Sequence, residues 1–100
     1  MEQDDLNNYL DKQGRLKKWP SVKYRKSQRT VLEFLASKFE VGRNYTEREV
    51  NEILNLHHTF QDPALLRREL VMAALMTRTR NGSAYWRTET QGVEEGTNAK

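Results

Sequence analysis

The stretch NYTEREVNEILNLHHTFQDPALLRRELVMAALMTRTRNGSAYW, residues 44–86, reads as helix, short turn, helix and tight β-hairpin. Thr46 is placed as an N-cap that accepts from the Glu49 backbone N–H, while the Glu49 side chain reaches back to that of Thr46, a capping box. Tyr45 and Val50 occupy the staple positions that flank such a box. The helix then presents Val50, Ile53 and Leu54 inward and runs out near Leu56-His57. Asp62 caps the next helix, with Pro63 at N1, where a missing N–H costs nothing. Leu66, Leu70, Ala73 and Ala74 form its buried stripe, which predicts an end near Leu75 or Met76. Asn44-Tyr45 is also placed to pair as a very short strand against the hairpin.

Asn81-Gly82 is the preferred two-residue type I′ turn. With that loop, Arg80 faces Ser83, Arg78 faces Tyr85 and Met76 faces Arg87. These side chains share one face of the ribbon, and Thr77, Thr79, Ala84 and Trp86 share the other. Trp86 with Ala84 is the more apolar pair, so that face is expected on the core. The outer face then carries Arg78, Arg80, Arg87 and Tyr85. A change of register by one residue reverses the assignment.

Upstream, Leu32, Leu35, Ala36 and Phe39 fall on one helical stripe widened by Val31 and Phe34. Ser21 or Ser27 is a candidate cap and Gly42 a candidate stop. Trp19-Pro20 favours extended backbone, so residues 15–26 read as a connector. Asp4 and Asp5 can start a short helix carrying Leu6, Tyr9 and Leu10, with Gly14 as its stop. A helix that short must dock, either on its own core or on a second copy of the chain. The expected architecture is α+β and mainly helical: a winged helix of three helices plus a C-terminal β-hairpin wing. The parts are an N-terminal appendage and basic connector (1–20), the winged-helix domain (21–87) and a disordered tail (88–100), whose Gly, Thr, Glu, Gln and Asn have little to bury.

One hundred residues amount to one domain. Cysteine is absent, which removes disulfides and thiolate chemistry and suits a reducing cytoplasm. No apolar run approaches a membrane span, and the acidic N-terminus does not read as a signal peptide. The formal net charge is +3, but its distribution is uneven. Lys12, Arg15, Lys17, Lys18, Lys23, Arg25, Lys26 and Arg29 follow one another with no acid between them, while both ends of the chain are acidic. Such an arm attracts a polyanion or, alternatively, forms a solvated surface.

At these residues the chain resembles a bacterial family catalogued only as a numbered domain of unknown function. The resemblance runs from about Gly14 to Trp86. It is carried by Gly14-Arg-Leu16, Trp19-Pro20, Phe39-Glu40, Tyr45-Thr-Glu and Glu49-Val-Asn51 with Ile53-Leu54. It continues through Asp62-Pro63, Leu66-Arg-Arg-Glu-Leu70, Asn81-Gly82 and Tyr85-Trp86. Members look like winged-helix modules, some attached to helix-turn-helix or sigma-factor-like regulators, so the resemblance implies a regulatory or DNA-binding role. It brings no ligand, activity or functional residue. Here Met72-Ala-Ala-Leu75 stands where a more polar stretch with a glycine is expected.

The functional expectation is a small transcription-regulatory module on double-stranded DNA, acting as a homodimer or with a partner regulator. Lys23, Arg25, Lys26, Arg78, Arg80 and Arg87 are the candidate phosphate contacts, and Arg67 and Arg68 the candidate base readers. The alternative for Arg67 or Arg68 is pairing with a carboxylate such as Glu49, Glu52 or Glu69. For the wing it is an arginine stacked on Tyr85. Lys23, Arg25 and Lys26 oppose the dipole of the helix they precede, a cost that an anionic partner explains. Trp19 and Tyr24 interleave with them as stacking groups, or Trp19 lies as a lid on the core. His57-His58 reads as an end cap stabilised by the helix C-terminus rather than a metal pair, since adjacent residues diverge and no third ligand has suitable spacing. No catalytic, cofactor or metal site, membrane contact or small-molecule substrate is inferred. The rival class is a protein-interaction module on the same fold, docking through Leu6, Tyr9 and Leu10 or through Met72 and Met76.

Overall fold

The apolar stripe beginning at Val31 becomes helix α1 (Arg25–Ala36), which buries Val31, Leu32, Leu35 and Ala36, with Phe39 buried just past its end. The computed structural model describes residues 6–88. Neither serine caps α1: its N-cap is Tyr24, which makes no side-chain capping bond, and Ser27 is buried inside the first turn. The helix stops well before Gly42, whose φ of +84° serves the turn leading to strand β1 (Asn44–Tyr45).

Helix α2 (Glu47–Leu56) starts as its sequence predicts. The Glu49 N–H donates to Thr46 Oγ1 at 3.1 Å, and the Thr46 N–H donates to Glu49 Oε1 at 2.9 Å. Helix α3 (Pro63–Met72) has Asp62 as N-cap, accepting from the Leu65 N–H at 3.2 Å, and Pro63 in its first turn. Strands β2 (Met76–Arg78) and β3 (Tyr85–Arg87) complete an antiparallel sheet of order β1-β3-β2. The expected cross-strand partners meet, Met76 with Arg87 and Arg78 with Tyr85, and Asn44-Tyr45 pairs with β3. The molecule is thus a small α+β domain.

The buried face of the hairpin is the reverse of the one expected. Tyr85 and Met76 are buried, and Trp86 is only half-buried. The cause is the third strand. Tyr45 lies directly opposite Tyr85, and directly opposed residues of an antiparallel pair share a face. Tyr45 is committed to the core, edge-on to Phe39 at 5.2 Å with its hydroxyl accepting from the Glu40 N–H at 2.8 Å. Tyr85 therefore follows it inward.

The turn also differs. Thr79 N–H donates to the Ala84 carbonyl at 2.9 Å and Gly82 N–H to the Thr79 carbonyl at 3.0 Å, so residues 80–83 form a four-residue loop. Gly82 has φ +76° but Asn81 does not share the left-handed region that a type I′ turn needs at both central positions. Asn81 Oδ1 instead accepts from the Ser83 N–H and the Thr79 hydroxyl. Arg80 and Ser83 thus belong to the loop rather than to a facing pair.

Helix α3 ends at Met72, earlier than expected. Leu75 N–H returns to the Leu70 carbonyl and Ala74 N–H to that of Val71, each at 3.0 Å, a Schellman closure with Ala74 at φ +63°. Ending there releases Leu75 and Met76 into the core at the start of β2.

The N-terminal segment is more deeply integrated than its composition implies. Leu16 is fully buried. Its N–H donates to the His57 carbonyl at 2.8 Å, and its carbonyl accepts from the Thr59 N–H at 2.9 Å. Leu6, Tyr9, Leu10 and Trp19 pack half-buried against the core. Residues 6–8 are helical, whereas Asp4 and Asp5 lie outside the described residues. Thr88 still belongs to the sheet region, its N–H donating to the Leu75 carbonyl at 3.0 Å, and the rest of the expected tail, residues 89–100, lies outside the described residues.

Candidate nucleic-acid interface

Leu66 and Leu70 anchor α3 by full burial, which turns the opposite stripe of Ala64, Arg68 and Met72 to solvent. Positions four apart lie on one face of a helix, so the burial of the leucines dictates the exposure of this stripe. Two grooves flank it. One lies between α3 and the hairpin and is lined by Glu47, Arg67, Arg68, Met72, Arg78 and Tyr85. The other lies between α3 and the start of α1, lined by Arg25, Gln28, Arg29, Glu69 and Met72. Met72, 70 % exposed, is the ridge they share.

The candidate cations divide by what holds them. Arg67 is half-buried, and its guanidinium donates to Asn51 Oδ1 and lies 3.6 Å from the Glu47 carboxylate. It ties α3 to α2, through Glu47 rather than Glu49, Glu52 or Glu69. Arg87 is half-buried and donates to the Phe39 carbonyl at 3.3 Å. Arg78 is exposed on the hairpin flank, and its guanidinium reaches the Arg80 carbonyl at 3.5 Å. Arg68, Arg80, Arg25 and Lys26 are exposed, and their side chains have no hydrogen bond or ion pair among the described residues. Lys23 is exposed, its ammonium 6.0 Å from the Tyr24 ring centroid. The arginine that stacks on a tyrosine is Arg43, over Tyr45 at 4.8 Å, and no wing arginine stacks on Tyr85 among the described residues.

The start of α1 has no acidic residue in its first turn and no side-chain cap, so the positive charge of Arg25 and Lys26 adds to that of the helix N-terminus. Val22 and Tyr24 are exposed beside them, while Trp19 packs on the core instead.

The two histidines act differently from the expected end cap. His57 is the C-cap of α2, but burial, and then the charge of Lys38, pushes its imidazole below the ordinary value of 6.5, against the positive form. His58 is buried and uses both ring nitrogens. Nε2 accepts from the Asp62 N–H at 2.9 Å, which leaves the proton on Nδ1 to donate to the Leu54 carbonyl at 2.7 Å. Phe60 packs edge-on against the ring at 4.8 Å. His58 thereby fixes where α3 begins relative to the end of α2. Two adjacent histidines gave no sequence sign that one would serve this turn. Among the described residues no group of three His, Cys, Asp or Glu side chains is placed to hold a metal ion. No helix of the described residues is long and apolar enough to cross a membrane.

A family model described as "Uncharacterized protein conserved in bacteria" (DUF2087) matches residues 15–87, and the chain belongs to that family. The match covers almost the same span as the resemblance read from Gly14 to Trp86. No curated protein and no solved structure matches the chain.

Proposed function

We propose that this member of the family is a winged-helix module that binds duplex DNA, with α3 in the major groove and the β2–β3 hairpin as the wing. The fold reading rests on element order and sheet order: α1-β1-α2-α3-β2-β3 with β1-β3-β2 places one hairpin beside the second helix of a helix pair. The observation that carries the functional reading is positive charge without an ion-pair partner, in a groove whose lining carboxylate, Glu47, is engaged by Arg67. Arg68 on α3 and Arg78 on the hairpin line one groove, Arg80 sits at the wing loop, and no carboxylate pairs with any of them among the described residues. An α-helix such as α3, about 10–12 Å across with its side chains, fits a groove about 12 Å wide. In this reading Arg78 and Arg80 contact phosphates on the wing side. Lys23, Arg25 and Lys26 do so at the start of α1. Arg67 and Arg87, already engaged within the protein, position α3 and β3. A domain this small binds weakly alone, so a dimer or a partner regulator completes the site.

The interaction-module reading keeps one specific support, the exposure of Met72, Val22 and Tyr24. Met76 drops out of it because that residue is buried. Fluorescence anisotropy on labelled duplexes across a salt series separates the two readings. Four to six phosphate contacts give a slope of log K against log salt of about −4 to −5. Arg78→Glu with Arg80→Glu weakens binding to every sequence alike. No duplex binding at low salt removes the DNA reading.

A further inference from the structure

We infer that α3 reads a guanine through Arg68, with thymine methyl groups contacted by Ala64 and Met72 on either side. The inference rests on the duplex-binding reading and names the sequence that such a surface prefers. The exposed stripe of α3 is Ala64, Arg68, Met72: a guanidinium between two apolar side chains. Arg68 has no partner among the described residues, so its paired N–H donors are free to meet guanine O6 and N7 together. Its neighbour Arg67 lacks that freedom, held by Asn51 and Glu47. The side chains that read adenine, Asn and Gln, are missing from the stripe. Asp62, the nearest acid before it, spends a carboxylate oxygen on the cap. One hydrogen-bonding determinant therefore remains, and apolar contacts supply the rest. Ala64 and Met72 lie four residues from Arg68, about 6 Å along the axis. With about 3.4 Å per base step, their contacts fall roughly two base pairs from the guanine on either side. A thymine methyl is the apolar group that the major groove offers there.

The experiment is a selection from random duplexes with the full chain, as wild type, Arg68→Ala and Arg68→Lys, followed by binding to single modified duplexes. Wild type enriches one guanine flanked by thymines. Replacing that guanine by 7-deazaguanine, or Arg68 by Ala, weakens binding to the selected duplex about 5- to 100-fold. Arg68→Lys retains general affinity but loses the guanine preference, because an ammonium lacks the two-pronged geometry. Deoxyuridine in place of a flanking thymine costs about two- to fourfold for the missing methyl. Unchanged urea midpoints for both variants show that the fold is intact. The inference is overturned if Arg68→Ala selects the same motif as wild type, or if Arg68→Lys keeps the guanine preference. Duplex binding without guanine preference overturns this inference alone. Absence of any duplex binding overturns the DNA reading and this inference with it.

Discussion

The Asp62 backbone N–H donates to Nε2 of His58 across 2.9 Å, so one buried imidazole joins the last turn of α2 to the N-cap of α3. The Leu54 carbonyl on its other side also accepts from the His57 N–H at 2.9 Å, so the Asp62 bond is the one the ring alone supplies. His58→Phe keeps an aromatic ring at the site and removes that acceptor. The expected loss is about 1–3 kcal/mol for an N–H left without its partner. Urea unfolding reads it as a lower midpoint at constant slope; an unchanged midpoint shows that the bond is immaterial.

Ala74 carries φ +63° at the end of α3 and is exposed. Left-handed backbone costs an L-residue about 1–2 kcal/mol, and glycine forfeits about 0.5–1 kcal/mol of chain entropy relative to alanine. Ala74→Gly is therefore expected to stabilise the protein by up to about 1.5 kcal/mol, since no buried methyl is lost. A lower unfolding midpoint would contradict the assigned closure.

The Arg15 backbone N–H donates to the Asp11 carboxylate at 2.9 Å, and this bond, helped by the Gln13 N–H and the Arg15 charge against an opposing desolvation, lowers the carboxyl below its ordinary 3.8. Its contribution is complete above pH 3.8 and is lost as pH falls through the lowered value. Asp11→Asn should flatten that acid limb of the stability curve.

Burial and Lys38 lower His57 below 6.5, so the unfolded chain takes up the proton first. Stability is then full above pH 6.5 and declines as pH falls through the folded value. His57→Gln should remove this decline; stability measured against pH in the two proteins decides it.

Neighbouring arginines on α3 should part company. Arg67→Met breaks the bond to Asn51 and the ion pair with Glu47, whose half-exposed carboxylate limits the loss to about 1 kcal/mol. Arg68→Ala, with no partner among the described residues, should stay within about 0.5 kcal/mol of wild type. Equal losses would mean that the two side chains share a structural role.

Much of the local structure is legible in the residues. Thr46 with Glu49 and Asp62 with Pro63 mark helix starts because capping uses groups only a few residues apart. The pairing of Arg78 with Tyr85 is likewise correct, although the loop between them is longer than the dipeptide Asn81-Gly82 implies. Alternation within the hairpin splits its side chains correctly into two faces but does not say which face is covered. The burial of Leu16 is not legible because a lone leucine between charged residues has no periodic companion. Its burial comes from backbone bonds to residues 57 and 59, far along the chain. The candidate site shows the same division. Its cations are visible as composition, but Glu47 cannot be chosen over other acids as the partner of Arg67 until the start of α2 is set against α3.

By itself, then, the sequence determined the order of the elements, the caps of α2 and α3 and the partners within β2 and β3, because each depends on hydrogen bonds and side-chain periodicity between near neighbours. Only the tertiary structure decided that Tyr85 turns inward, that Arg67 is engaged and that the Arg68 side chain has no partner among the described residues. Those outcomes depend on β1 joining the hairpin and on α2 packing against α3, contacts between distant residues that local pattern does not encode.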